Sequence, residues 1–108
     1  MDEHDAVQAL AALAQDTRLR IFRQLVVAGP TGLTPGQLAD ALNASPTALS
    51  FHLKELLHAG LATVQRDGRF LIYRADVARM NELLGFLTDN CCQGEPCLTV
   101  SLPTCRSC

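Results

Sequence analysis

Five cysteines, Cys91, Cys92, Cys97, Cys105 and Cys108, occupy the last eighteen residues, and the ninety residues before them contain none. Thiols used only as small hydrophobes would be scattered through a core. Gathered in a polar, Gly- and Pro-punctuated stretch, they have the pattern of ligands or redox groups. Cys91, Cys92 and Cys97 place three thiolates within seven residues, and Gly94 and Pro96 permit the chain to fold back so that the sulfurs converge. Soft thiolates select soft ions. Three sulfurs with no nearby imidazole suit a trigonal ion bearing a lone pair, such as As(III) or Sb(III). Cys105-Arg106-Ser107-Cys108 is a C-x-x-C pair, which with an upstream pair could complete a four-cysteine zinc site. The same thiols could also sense redox state. A small thiol-dependent reductase is a weaker reading, because no His stands close in sequence and no βαβ pattern frames the C-x-x-C.

The compartment decides which thiol chemistry is available. The start, Met1-Asp2-Glu3-His4-Asp5, is acidic, and the apolar stretch after it is too short and interrupted for a signal peptide. No run approaches the roughly 20 apolar residues of a membrane span. The expected location is the cytoplasm, where thiols stay reduced and a cysteine cluster points to metal or redox chemistry rather than a disulfide framework. An odd count of five also fits poorly with closed bridges. A chain of 108 residues makes one small domain. At this size only about two-thirds of the unfolded surface is buried, so association is a natural source of further stability. We expect a domain over residues 1–90 and a cysteine-rich inducer-binding tail over 91–108.

The elements that must position these groups follow from periodicity. Val7, Leu10, Ala11, Leu13 and Ala14 recur at helical spacing over residues 5–15. Asp16-Thr17 signals the cap of a second helix, Arg18 to Ala28, with Leu19, Ile21, Phe22, Leu25 and Val26 as its stripe. Thr34 followed by Pro35 opens a short third helix with Leu38, Ala39 and Leu42 inward, and Asn43-Ala44 makes a turn. Ser45 followed by Pro46 opens a fourth helix that runs to His58 and stops at Gly60. Two capped helices joined by a short turn form a helix-turn-helix signature. The runs 61–65 and 70–74 flank Arg66-Asp67-Gly68-Arg69, with Asp-Gly as the expected hairpin turn. A last helix spans about Asp76 to Asp89, with Val77, Met80, Leu83, Leu84 and Leu87 as its apolar face. The fold class is mainly α with a small β-hairpin, a winged helix-turn-helix. The first and last helices are more apolar than so small a core can cover, so they would form an isologous dimer surface.

This arrangement directs attention to DNA. The net charge is −2, but residues 46–74 carry Lys54, Arg66, Arg69 and Arg74 against only Glu55 and Asp67. On the fourth helix, Leu49, Leu53 and Leu56 share one face. Thr47, Ser50, Phe51 and Lys54 lie near the other, and His52, beside the apolar stripe, is either a core-flanking group with one hydrogen bond or a further DNA contact to a phosphate or base. Short hydrogen-bonding groups, an aromatic and a cation suit a helix lying in the major groove. Arg66 and Arg69 at the hairpin tip would reach backbone phosphates or the minor groove. A dimer would present two such helices about one DNA turn apart, so the expected partner is double-stranded operator DNA with an inverted repeat.

The run 13–22 resembles the opening of ArsR-type (ArsR/SmtB) repressors. Ser50-Phe51-His52-Leu53-Lys54, Leu57-His58-Ala59-Gly60-Leu61, Arg66-Asp67-Gly68-Arg69 and Tyr73 are similar to that family's further pattern. The resemblance covers roughly residues 7–89. It implies a homodimeric winged-helix repressor that leaves DNA when an inducer binds. Many arsenic sensors of this family carry C-V-C before the recognition helix, whereas Leu33-Thr34-Pro35-Gly36-Gln37-Leu38 has no sulfur. The Cys91-Cys92-x4-Cys97 pattern instead resembles variant arsenic repressors with three ligands at the end of the C-terminal helix, leaving Cys105 and Cys108 without a role. Zinc-sensing members use Asp/His pairs on the last helix. Here that helix offers Asp76, Glu82 and Asp89 but no His, so zinc is the less expected ion.

Overall fold

The protein's structure is a computed structural model that describes residues 1–89; Cys91, Cys92, Cys97, Cys105 and Cys108 lie outside the described residues. Its elements are α1 (Glu3–Leu13), α2 (Asp16–Ala28), a short 3-10 turn (Gly29–Thr31), α3 (Pro35–Leu42), α4 (Pro46–His58), β1 (Ala62–Asp67), β2 (Phe70–Ala75) and α5 (Val77–Thr88). Side-chain oxygens set the helix starts, each satisfying an amide that the first turn leaves free. Asp2 accepts from the Asp5 amide at 2.7 Å, and Asp76 accepts from the Arg79 amide at 3.0 Å. Thr34 and Gln37 exchange bonds in a reciprocal capping box at the start of α3.

Two expectations about helix starts shift. α1 begins earlier than residue 5, at Glu3, because Asp2 caps it. The cap of α2 is Gln15, whose side-chain oxygen accepts from the Arg18 amide at 2.8 Å, so Asp16 and Thr17 lie inside the helix. The long Gln side chain does what a short Asp was expected to do. By contrast, α3 and α4 begin at Pro35 and Pro46 as expected, since a proline in the first turn loses no helical hydrogen bond.

The core sits where α2 and α4 meet, with Ile21, Phe22 and Leu25 of α2 buried against Leu38 of α3 and Leu49, Leu53 and Leu56 of α4. Leu61 and Ala62, at the foot of β1, and Leu83 of α5 complete it. α1 joins this core through alanines. Ala6, Ala9 and Ala12 are buried, whereas Val7 and Leu10, which the sequence pattern placed on its apolar face, are exposed. The small face lets α1 lie close to its neighbours while its larger side chains turn to solvent. On α2, Leu19 and Val26 are likewise exposed rather than core, which narrows the expected stripe to three residues. Of the expected α5 face only Leu83 is fully buried; Met80 packs against the core and Leu87 is exposed.

The hairpin is antiparallel and pairs Ala62 with Ala75 through to Asp67 with Phe70. Its base is pinned by Leu33, whose amide donates to the Tyr73 carbonyl at 2.9 Å while the Tyr73 amide donates to the Leu33 carbonyl at 2.8 Å. Gly32 makes that approach possible. Its φ is +69°, and a Cβ there would stand 2.6 Å from Ile72 Cγ2 and 2.8 Å from the Tyr73 carbonyl oxygen. Among the described residues no helix is long and apolar enough to cross a membrane.

Candidate nucleic-acid interface

Burial of Leu49, Leu53 and Leu56 fixes the rotation of α4 and thereby sends Thr47, Ser50, Phe51 and Lys54 to solvent. The helix starts cleanly because the Ser45 hydroxyl accepts from the Ala48 amide at 3.2 Å. The turn before it is sharp: Asn43 takes the left-handed conformation at φ 52°, and its amide closes α3 on the Ala39 carbonyl. Asn tolerates that region better than most residues. Phe51 keeps 57% of its surface in water. A large aromatic left exposed on a helix that already has a complete core face is available to a partner rather than to the fold.

His52 is half-buried beside this face. Its ring meets the Phe51 ring edge-on, with centroids 5.5 Å apart. Its Nδ1 is sealed from solvent with no hydrogen-bond partner. Burial, reinforced by the nearby Arg18 guanidinium and opposed by Glu55, holds its pKa below the usual 6.5. Arg18 itself is anchored, donating from Nε to the Ala12 carbonyl at 2.7 Å. The sequence reading missed the approach of Arg18 to His52, which tertiary packing of α2 against α4 brings about across thirty-four positions of chain.

The wing carries the second group of cations. Arg66 sits on β1 opposite Leu71, and Arg69 lies in the turn itself. The turn is displaced by one residue from the expected Asp67-Gly68. Asp67 pairs with Phe70 as the last rung, leaving Gly68-Arg69 as the two-residue loop. Gly68 has φ +63° and Arg69 does not share the positive sign. That is the pattern of a type II′ turn, which needs glycine at its first central position. Arg69 is thereby carried to the tip. Every residue from Thr63 to Leu71 is exposed, including Phe70, an aromatic at the wing end that the sequence reading did not single out.

Arg74, counted with these cations in the sequence, does not join them. Its guanidinium donates from Nε to the Pro30 carbonyl at 2.7 Å and from Nη1 to Gln65 Oε1 at 2.9 Å, bracing the wing base. Among the described residues the ion pairs belong to Arg79, with Asp5 at 3.7 Å and Glu82 at 3.4 Å. Lys54, Arg66 and Arg69 take part in no ion pair among the described residues. Among the described residues no group of three or more His, Cys, Asp or Glu side chains is placed to hold a metal ion.

This geometry has known counterparts. Residues 13–65 match the family described as "Helix-turn-helix domain". An ArsR-like transcriptional regulator from Rhodococcus sp. RHA1 superposes with a TM-score of 0.70 at 31% identity, over 78% of this chain and 76% of that one. A homodimeric winged helix-turn-helix DNA-binding domain from Mycobacterium bovis superposes at 0.64 with 26% identity, over 86% of each chain. A Halobacterium salinarum protein, provisionally named an arsenical resistance operon repressor, is 38% identical over 68 residues, 63% of this chain and 52% of its own length. The matched stretch thus spans about half of that protein. An exposed, cap-defined α4 beside an arginine-tipped wing, in a chain with these relatives, is DNA-binding rather than catalytic machinery: the chain belongs to the ArsR-like (ArsR/SmtB-type) family of winged helix-turn-helix transcriptional regulators.

Proposed function

We propose that this protein is a homodimeric repressor that binds an inverted-repeat operator and releases it when As(III) or Sb(III) is bound by the thiolates of Cys91, Cys92 and Cys97. The observation that carries the reading is adjacency along the chain: the first two thiols follow within four residues of the end of α5 at Thr88. α5 in turn packs against α1, where Arg79 meets Asp5. Both helices keep large apolar side chains exposed, Val7 and Leu10 on α1 and Phe86 and Leu87 on α5. Such side chains suit a contact between two copies, which would set the spacing of the two α4 helices at about one DNA turn, ~34 Å. The named function of the Halobacterium relative supports the choice of ion.

Each residue then has a role. Thr47, Ser50, Phe51 and Lys54 lie in the major groove, and His52 supports Phe51 from behind. Arg66 and Arg69 contact phosphates beside the minor groove. Three sulfur donors without imidazole fit a soft trivalent semimetal better than zinc, and the ion would supply only a fixed junction among them. Thiols must lose protons to bind it, so apparent affinity rises with pH while the ion's own speciation is constant. Ligation would tie the chain past α5 to the subunit contact and change the relative pose of the two α4 helices. Linkage then requires operator to weaken inducer as much as inducer weakens operator, typically about 5–150-fold.

X-ray absorption of the arsenite-loaded, reduced full chain tests the donor set, because it counts sulfur neighbours directly. Three sulfurs per arsenic are expected, falling to two in Cys91→Ser, Cys92→Ser or Cys97→Ser. Two sulfurs in the parent chain, or three retained in any of those variants, would contradict the assignment.

A further inference from the structure

We propose that the notch between the wing and α4 binds a small neutral ring compound carrying one hydroxyl, of the phenol class, and that its occupation weakens the hold on DNA. The first half stands on the cavity alone; the second rests on the operator-binding reading above. The notch has a volume of about 200 Å³ and is walled by Ala39 of α3, Pro46, Ser50 and Leu53 of α4, and Leu71 and Tyr73 of β2. No charged side chain lines it. The other clefts described on this surface all carry charged side chains: Arg74 and Asp76 in one, Glu55 in a second, Arg20 and Arg23 in a third. An uncharged lining rejects ions, because a charge moved there would lose hydration and gain no partner.

Size narrows the occupant further. An apolar cavity of about 150 Å³ takes a benzene-sized guest, whereas drug-sized ligands need roughly 300–1,000 Å³. Ser50 and Tyr73 are the hydroxyl-bearing residues of the lining, so a single polar group on the ring has a partner there while its body displaces water from Leu71. Leu71 remains 37% exposed in the free protein, which leaves apolar surface for a guest to cover. The notch also joins the two parts that face DNA. Ser50 belongs to the outward side of α4, and Leu71 is the cross-strand partner of Arg66 on the wing. A guest hydrogen-bonded to Ser50 occupies a residue that the operator reading gives to the major groove, so guest and DNA compete for it, and that differential affinity is what shifts an equilibrium.

The test follows backbone amide resonances of the reduced, ¹⁵N-labelled full chain during titration with phenol, with benzoate as the charged control. Saturable shifts at Ala39, Ser50, Leu53, Leu71 and Tyr73 are expected with phenol and not with benzoate. Ala39→Leu fills the notch with a strong helix former and should abolish them. Should that variant fold poorly, Leu71→Asp on the exposed wing places a charge in the notch to the same end. Non-saturating or scattered shifts, equal response to benzoate, or unchanged binding in a folded variant would overturn the site. With phenol at saturation, the Kd for DNA immediately upstream of the gene should rise about 5-fold or more. Saturable binding with an unchanged Kd overturns the coupling. Absence of DNA binding even without phenol is instead a failure of the operator reading and leaves the resonance result standing.

Discussion

Phe51 and His52 are sequence neighbours placed on either side of a boundary by the burial of Leu49, Leu53 and Leu56. Phe51 is exposed and free to meet a base edge, such as a thymine methyl, so Phe51→Ala should flatten preference at one operator position by about 1–3 kcal/mol. A selection or competition series that showed uniform weakening across sequences would contradict that role. Arg69 is the opposite case. Removing it should weaken all sequences alike and reduce the salt slope of log Kd by about one. An unchanged slope would place Arg69 away from phosphate. His52 makes a pH prediction. Its pKa is held below the ordinary 6.5 in the folded protein, chiefly by burial and then by Arg18. The unfolded chain therefore takes up a proton that the native protein resists. The stability this neutral imidazole contributes is complete above 6.5 and drains as pH falls below it. Thermal unfolding followed from pH 7.5 down to about 5.5 should thus show a smaller loss in His52→Gln than in the parent. Equal losses would mean that the imidazole is not shielded. The exposure of Phe51 was legible from helical periodicity. The Arg18 neighbourhood of His52 was not, because it is made by tertiary packing across thirty-four positions of chain.

The helix-turn-helix was readable because its punctuation is chemical. Thr34-Pro35 and Ser45-Pro46 mark the starts of α3 and α4 by the same physics that holds them there. Thr34→Ala breaks the capping box and should lower stability by about 0.5–2 kcal/mol in urea unfolding, with unchanged slope. No loss would mean that the box adds nothing to α3. The hairpin was readable in kind and displaced by one residue, since Asp-Gly and Gly-Arg both offer a glycine and only the strand pairing says which bond is the corner. α1 was legible as an apolar helix, but not which of its side chains meet the core. Hydrophobicity ranks Val7 and Leu10 above alanine, but close helix approach favours Ala6, Ala9 and Ala12, and the larger side chains were left outside.

The large apolar groups left at the surface are what the proposed dimer would cover. Val7 is 58% and Leu87 54% exposed, on two helices that contact each other. Replacing Leu10 and Leu87 by Glu should convert a dimer to a monomer in analytical ultracentrifugation, with loss of high-affinity binding to an inverted repeat. A double variant that still sediments as a dimer would move the interface elsewhere. The thiols that follow α5 were the plainest feature of the sequence, yet their proposed partner ion rests on donor chemistry and the named function of a relative, since Cys91, Cys92 and Cys97 lie outside the described residues. The most direct measurement of their role is fluorescence anisotropy of labelled upstream DNA bound by the reduced full chain, titrated with arsenite. The account predicts release of the DNA by the parent chain and retention by Cys91→Ser, Cys92→Ser and Cys97→Ser at the same arsenite concentration. DNA that stays bound to an arsenite-saturated parent chain, or that leaves a serine variant just as readily, would contradict it.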